Sequence, residues 1–114
     1  VIALIEVTLL NYLSGALDVP VYMELPPNPP QSCVVIEKVG SSMDNHLASA
    51  NFAIQSYGGT MYEAATLNEQ VKQAVFDSVS LDEITAVSLN SDYNYTDTAT
   101  KRYRYQAVFV ITHY

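Results

Sequence analysis

Cysteine is nearly absent from this chain. Cys33 is the single thiol in 114 residues, so no intrachain disulfide can staple the fold, which must be held by packing and hydrogen bonds. Basic residues are scarce too: five Lys and Arg stand against twelve Asp and Glu, a formal charge of −7. Such a surface repels phosphate at long range and disfavours tight nucleic-acid binding unless a basic cluster acts alone. Long apolar runs are also missing. A bilayer span needs about 20 mostly apolar residues, and the longest candidate, 1–17, is interrupted by Glu6, Thr8, Asn11 and Ser14. No membrane segment is expected. Nor is a leader peptide, because no basic residue precedes that stretch and no small-residue cleavage pattern follows it; synthesis in the cytoplasm is the expectation.

No repeat and no flexible linker is visible, and the length suits one core, so residues 1–114 read as a single domain. Pro26-Pro27-Asn28-Pro29-Pro30 lacks four amide donors and reads as a stiff surface connection. Ile2, Ile5, Leu9 and Leu13 recur at helical spacing, with Leu10 and Leu17 widening the stripe and Gly15 placed as a left-handed cap. Thr60-Met61-Tyr62-Glu63 matches a capping box, opening a second amphipathic helix that buries Met61, Ala64, Leu67 or Asn68, Val71, Ala74 and Val75 and ends near Ser78.

Elsewhere the pattern has strand character. The expected strands are Val19 to Leu25, Cys33 to Val39 closed by a Gly40-Ser41-Ser42 turn, Leu47 to Tyr57, Ile84 to Asn94 and Arg102 to His113, the last two forming an antiparallel hairpin. The order α-β-β-β-α-β-β predicts an α+β two-layer sandwich, a mostly antiparallel sheet with both helices on one face.

Few residues suggest catalysis. Cys33 lies in the apolar run Cys33-Val34-Val35-Ile36, where a buried, inert thiol is expected, and only His46 and His113 could act as its base. No metal-ligand spacing, phosphate loop or acid/base pair can be assembled, so the chain is read as no enzyme, with no catalytic residue, metal or cofactor. The most unusual feature is Lys101-Arg102-Tyr103-Arg104-Tyr105. As a strand it puts Arg102 and Arg104 on one face and Tyr103 and Tyr105 on the other. A nucleic-acid reading would stack bases on the tyrosines and pair phosphates with the arginines, against the surrounding negative charge and with the two residue types facing opposite ways; otherwise the arginines either meet acids of a neighbouring copy or are simply solvated. Tyr93, Tyr95, Tyr103 and Tyr105 either serve an interface or fill ordinary strand positions. These six residues are candidate subunit or tube contacts, and Ser42, Met43, Asp44, Asn45 and His46 are candidate loop contacts.

Several blocks carry a resemblance: a helix, a strand pair with a proline-rich loop, a long strand ending in Tyr57-Gly58-Gly59, the segment Met61-Tyr62-Glu63-Ala64-Ala65-Thr66-Leu67-Asn68, and Thr96-Asp97-Thr98 followed by Tyr103-Arg104-Tyr105-Gln106-Ala107-Val108-Phe109. In this order they resemble the small tail terminator, or tail completion, proteins of long-tailed bacteriophages. The resemblance covers nearly the whole chain. It implies a structural virion protein at the head-proximal end of the tail, a homohexameric ring that caps the tail tube, stops polymerisation and offers the head a joining surface. The implied partners are copies of itself, the tail-tube protein and the head-tail connector or neck proteins, with DNA crossing the lumen without specific binding. Excess acid suits such a lumen. A head-completion or neck connector protein is the alternative, and a small-molecule-binding α+β domain is a third reading.

Overall fold

A computed structural model describes residues 4–44, 47–97, 99–100 and 102–114. The elements are α1 (Ile5–Ala16), β1 (Val21–Tyr22), β2 (Cys33–Asp44), β3 (Leu47–Gly58), α2 (Met61–Asp77), a short 3-10 turn (Ser78–Ser80), β4 (Ile84–Asn94) and β5 (Tyr103–His113). The strands form one sheet in the order β1-β2-β3-β5-β4, antiparallel throughout except for β1 against β2. This is the α+β sandwich that the order of elements predicts.

One sheet face and the two helices close the core. On it lie Val34 and Ile36 of β2, Ala50, Phe52 and Ile54 of β3 and Ala107, Phe109 and Ile111 of β5, packed against Ile5, Leu9 and Leu13 of α1 and Leu67, Val71 and Val75 of α2. Period-two alternation in the strands and 3.6-residue spacing in the helices send these side chains inward. Phe52 and Phe109 are directly opposed and fully buried, and Phe76 meets Phe109 edge-on at 5.7 Å. Burying each such ring contributes about 1.5–3 kcal/mol.

The start of α2 follows its sequence signal. The Thr60 hydroxyl accepts the Glu63 N–H at 3.1 Å, and the Glu63 carboxylate takes the Gly59 N–H at 3.0 Å, one residue before the usual partner in a capping box. Gly58 lets this turn close: a Cβ there would sit 2.5 Å from the Ala64 nitrogen and 2.9 Å from the Glu63 carbonyl carbon. Farther along, α2 is tied to β4 through Asp92, which accepts from Lys72 at 2.8 Å and from the buried Asn68 at 3.2 Å.

Four local expectations are corrected. Gly15 is no left-handed cap; it lies inside α1 without a positive φ, and the Leu17 N–H still reaches Leu13 O at 3.0 Å. The strand expected from Val19 to Leu25 shrinks to two residues, because Pro20 lacks the donor to extend the ladder before Val21 and the chain bends at Met23 and Glu24 after it. Gly40-Ser41-Ser42 is not a turn. β2 runs through it to Asp44, and the irregularity becomes a register shift between Lys38 and Gly40 while pairing with β3 continues. Finally, β5 begins at Tyr103, with Arg102 in an isolated bridge to Asp97. The expected Ile2 contact and the chain start lie outside the described residues.

Both ends of the sheet leave strand edges without a partner among the described residues. β4 lies at one margin for its whole length, and at the other β1 covers only Val34 and Val35 of β2.

Two predictions follow from these contacts. Gly15→Ala, with nothing within 4 Å of the new methyl, should stabilise the protein by about 0.5–1 kcal/mol. Gly58→Ala should destabilise it by about 1–3 kcal/mol through overpacking against backbone; urea denaturation checks both signs. The second concerns acid. The Lys72 ammonium, with the Asn68 amide adding to it, holds the Asp92 carboxyl below the usual carboxylate range. A depressed carboxylate stabilises the fold above its unfolded pKa of about 3.9 and loses that contribution as pH falls through the lower folded value. Asp92→Asn should therefore flatten the dependence of stability on pH below about 4, read from melting temperatures across acid buffers.

Candidate interaction surface

The sheet face away from the helices carries the basic-aromatic cluster. The register sets Tyr57 of β3 opposite Arg104 of β5, and the Tyr95 N–H bonds Arg104 O at 2.9 Å, so one row of the sheet reads Tyr57, Arg104, Tyr95. The Arg104 guanidinium lies 4.4 Å from the Tyr95 ring centroid and 5.9 Å from that of Tyr57. It donates through Nε to Tyr95 O at 2.6 Å and through Nη1 to the Tyr57 hydroxyl at 3.1 Å. Arg102 sits 4.8 Å above the Tyr57 ring, and its Nη2 holds Pro30 O at 3.2 Å, anchoring the proline-rich segment. Planar guanidinium groups suit this work, stacking on rings while donating in fixed directions.

Next to that row, the Gln55 amide donates to Gln106 Oε1 at 2.9 Å, and the Gln106 amide donates to the Tyr93 hydroxyl. Tyr93 meets Tyr95 edge-on at 5.9 Å. Arg102, Arg104, Tyr93 and Tyr95 thus gather on one surface, joined by Tyr57, which sequence reasoning did not single out. Its only hint was the position just before Gly58-Gly59; the cross-strand alignment that gives it a role is not local. Tyr103 and Tyr105 point to the helix side, half-buried, and do not belong to this surface.

The loop candidates are elsewhere. Ser42, Met43 and Asp44 lie at the far end of β2, paired with Ser49, Ala48 and Leu47, while the arginine corner is beside Cys33 and Tyr57 at the other end. Met43 is 72% exposed. Asn45 and His46 lie outside the described residues.

The charges of the corner are distinctive. Lys38 pairs with Glu6 at 3.6 Å and Lys72 with Glu69 and Asp92 at 3.0 and 2.8 Å. Among the described residues no carboxylate lies within ion-pair distance of Arg102 or Arg104. A cavity of about 230 Å³ opens over Tyr57, between Leu25 and Pro29 on one side and Asp97, Arg102 and Arg104 on the other. The Ala99 N–H and the Thr100 hydroxyl, with Arg104 contributing, hold the Asp97 carboxyl below its ordinary range.

Little reactive chemistry collects around these groups. Cys33 is fully buried, and burial pushes its thiol up, opposed in part by Arg102, which disfavours the nucleophilic thiolate. His113 is at the opposite end of the sheet, paired with Ala48. Among the described residues no three His, Cys, Asp or Glu side chains gather to hold a metal ion, and no helix is long and apolar enough to cross a membrane. A larger open cavity of about 400 Å³ between the helices has Asp18 and Asp77 at its margin, with Tyr12 donating to Ala74 O at 2.8 Å.

Comparison with protein-family models and with curated proteins finds no match to this chain.

The corner yields a stability prediction. Tyr57→Phe, which removes one acceptor from Arg104, should cost about 1 kcal/mol. Arg104→Lys should cost about 1–2 kcal/mol, since it also gives up the stack on Tyr95. Urea midpoints in the reverse order would show that the ring contacts contribute little.

Proposed function

We propose that this chain is a structural virion protein of a long-tailed bacteriophage. Its copies form a ring that caps the tail tube, stops tube polymerisation and presents the surface to which the head joins. The ring partners are copies of this chain, followed by the tail-tube protein below and a connector or neck protein above.

The observation that carries this reading is the pair of sheet edges left without a partner among the described residues. β4 offers eleven residues at one margin, and β2 offers residues 36–44 at the other. Exposed edges are normally blunted by proline, lysine, bulges, inward-pointing charges or covering loops. β4 has neither proline nor lysine; two register shifts and the helix-side Asp92, held by Lys72, blunt it in part, as Lys38 and one shift do the free stretch of β2, and the rest of both edges is open to pairing. Strands alternate in direction across β2, β3, β5 and β4. A second copy placed with its β2 beside β4 would continue that alternation as an antiparallel pair. Two different edges meeting head to tail make a heterologous contact, the kind that closes into rings when the rotation permits.

The test has two arms. Native mass measurement of the purified chain should give one closed oligomer, and electron microscopy of tails assembled without it should show tubes of abnormal length. A chain that stays monomeric at high concentration, beside tails of normal length, would overturn the reading. Binding to head connectors but not to tail tubes would favour a neck protein instead.

A further inference from the structure

We infer that Arg104, on the β4 side of the corner it shares with Arg102, receives a carboxylate, and that Glu37 of the adjacent copy supplies it. The inference rests on the ring reading and names the contact that fixes one copy against the next.

Charge points to the ligand. The two described lysines are matched by acids within the fold, while the two arginines are oriented by tyrosines and backbone carbonyls and meet no carboxylate among the described residues. Arginine offers five donors in a planar fork suited to a carboxylate. Arg102 uses one donor nitrogen on Pro30 O and Arg104 uses two, on Tyr95 O and Tyr57. Asp97 on the same cavity offsets one of the two positive charges. The remainder matches a singly charged carboxylate better than a doubly charged phosphate group.

Strand polarity points to the residue that supplies it. When β2 of one copy lies antiparallel beside β4 of another, the start of its free edge comes to the end of β4, where Tyr95 and Arg104 stand. Glu37 is close to that start, next but one after Val35, the last residue covered by β1. It is exposed and makes no ion pair among the described residues. It also faces the right side: Glu37 pairs with Ala53, which pairs with Val108, and Val108 shares its sheet face with Arg104 four residues away. In a continuous sheet β2 of the neighbour would lie two strand spacings from β5, about 10 Å, a gap that the Arg104 guanidinium, held toward β4 on Tyr95 O, and the Glu37 side chain together can bridge.

The experiment compares subunit association, by sedimentation and native mass, in the wild type, Glu37→Arg, Arg104→Glu and the double reversal. Each single reversal should weaken association by at least about tenfold, and the double should restore most of it. Because Arg104→Glu could disturb its own corner, Glu37→Gln serves as an independent variant: at an exposed site it should keep the wild-type circular dichroism yet weaken association and reduce its sensitivity to salt. Rings of Glu37→Arg and Glu37→Gln as tight as wild type would overturn the inference while leaving the ring intact. So would a natively folded double variant no better than either single one. Duplex DNA bound at physiological salt by wild type and released by Arg102→Gln would reassign the corner to phosphate. A wild-type chain that never associates would overturn the ring itself.

Discussion

The pairing of β3 with β5 is the constraint from which the rest of the structure follows. Their ladder runs without a register shift from Ala48 opposite His113 to Gly58 opposite Tyr103, whereas both flanking ladders carry irregularities. One alignment therefore serves two faces at once. On the helix side it sets Phe52 beside Phe109 and Ile54 beside Ala107, and on the other Tyr57 beside Arg104 and Gln55 beside Gln106. Sliding the register by one residue would turn every one of these side chains to the wrong face. Core and outer surface thus cannot be altered independently.

The helices settle how the remaining surface is used. Both cover the same face, so the opposite one keeps a polar-aromatic character in which hydrogen bonds between side chains replace apolar packing. Around Tyr57 this outer layer is nevertheless dense enough to bury Cys33, Val35 and the tyrosine itself. The cavity over Tyr57, about 230 Å³, is smaller than the sites of roughly 300–1,000 Å³ that usually enclose a small molecule. The sheet margins add direction to that surface, since the short β1 and the long β4 make the two ends of the sheet unlike each other.

Most of the architecture was legible in the sequence because its signals were local and repeated. The α2 stripe and the Thr60 cap are spelled out within a few turns, and the hairpin from Ile84 to His113 announces itself by alternation. Gly15 and Gly40 mislead for a common reason: glycine permits a break without demanding one, and the surrounding ladder or helix decides. The surface was legible only in part. Alternation within β5 separates Arg104 from Tyr105, but the meeting of Arg104 with Tyr57 depends on residues 47 positions apart. No periodicity within one segment encodes such a meeting.

Cys33 gives that outer layer an internal gauge. The thiol is fully enclosed beside Tyr57 and Arg102, at the place where one arginine donor tethers the proline-rich segment through Pro30. As the sole sulfhydryl in the chain, it gives an alkylating reagent only one target, and that target is reached only when the packing around it opens. The rate of its labelling thus counts the openings of this corner, in the free chain or within any assembly that clamps it shut.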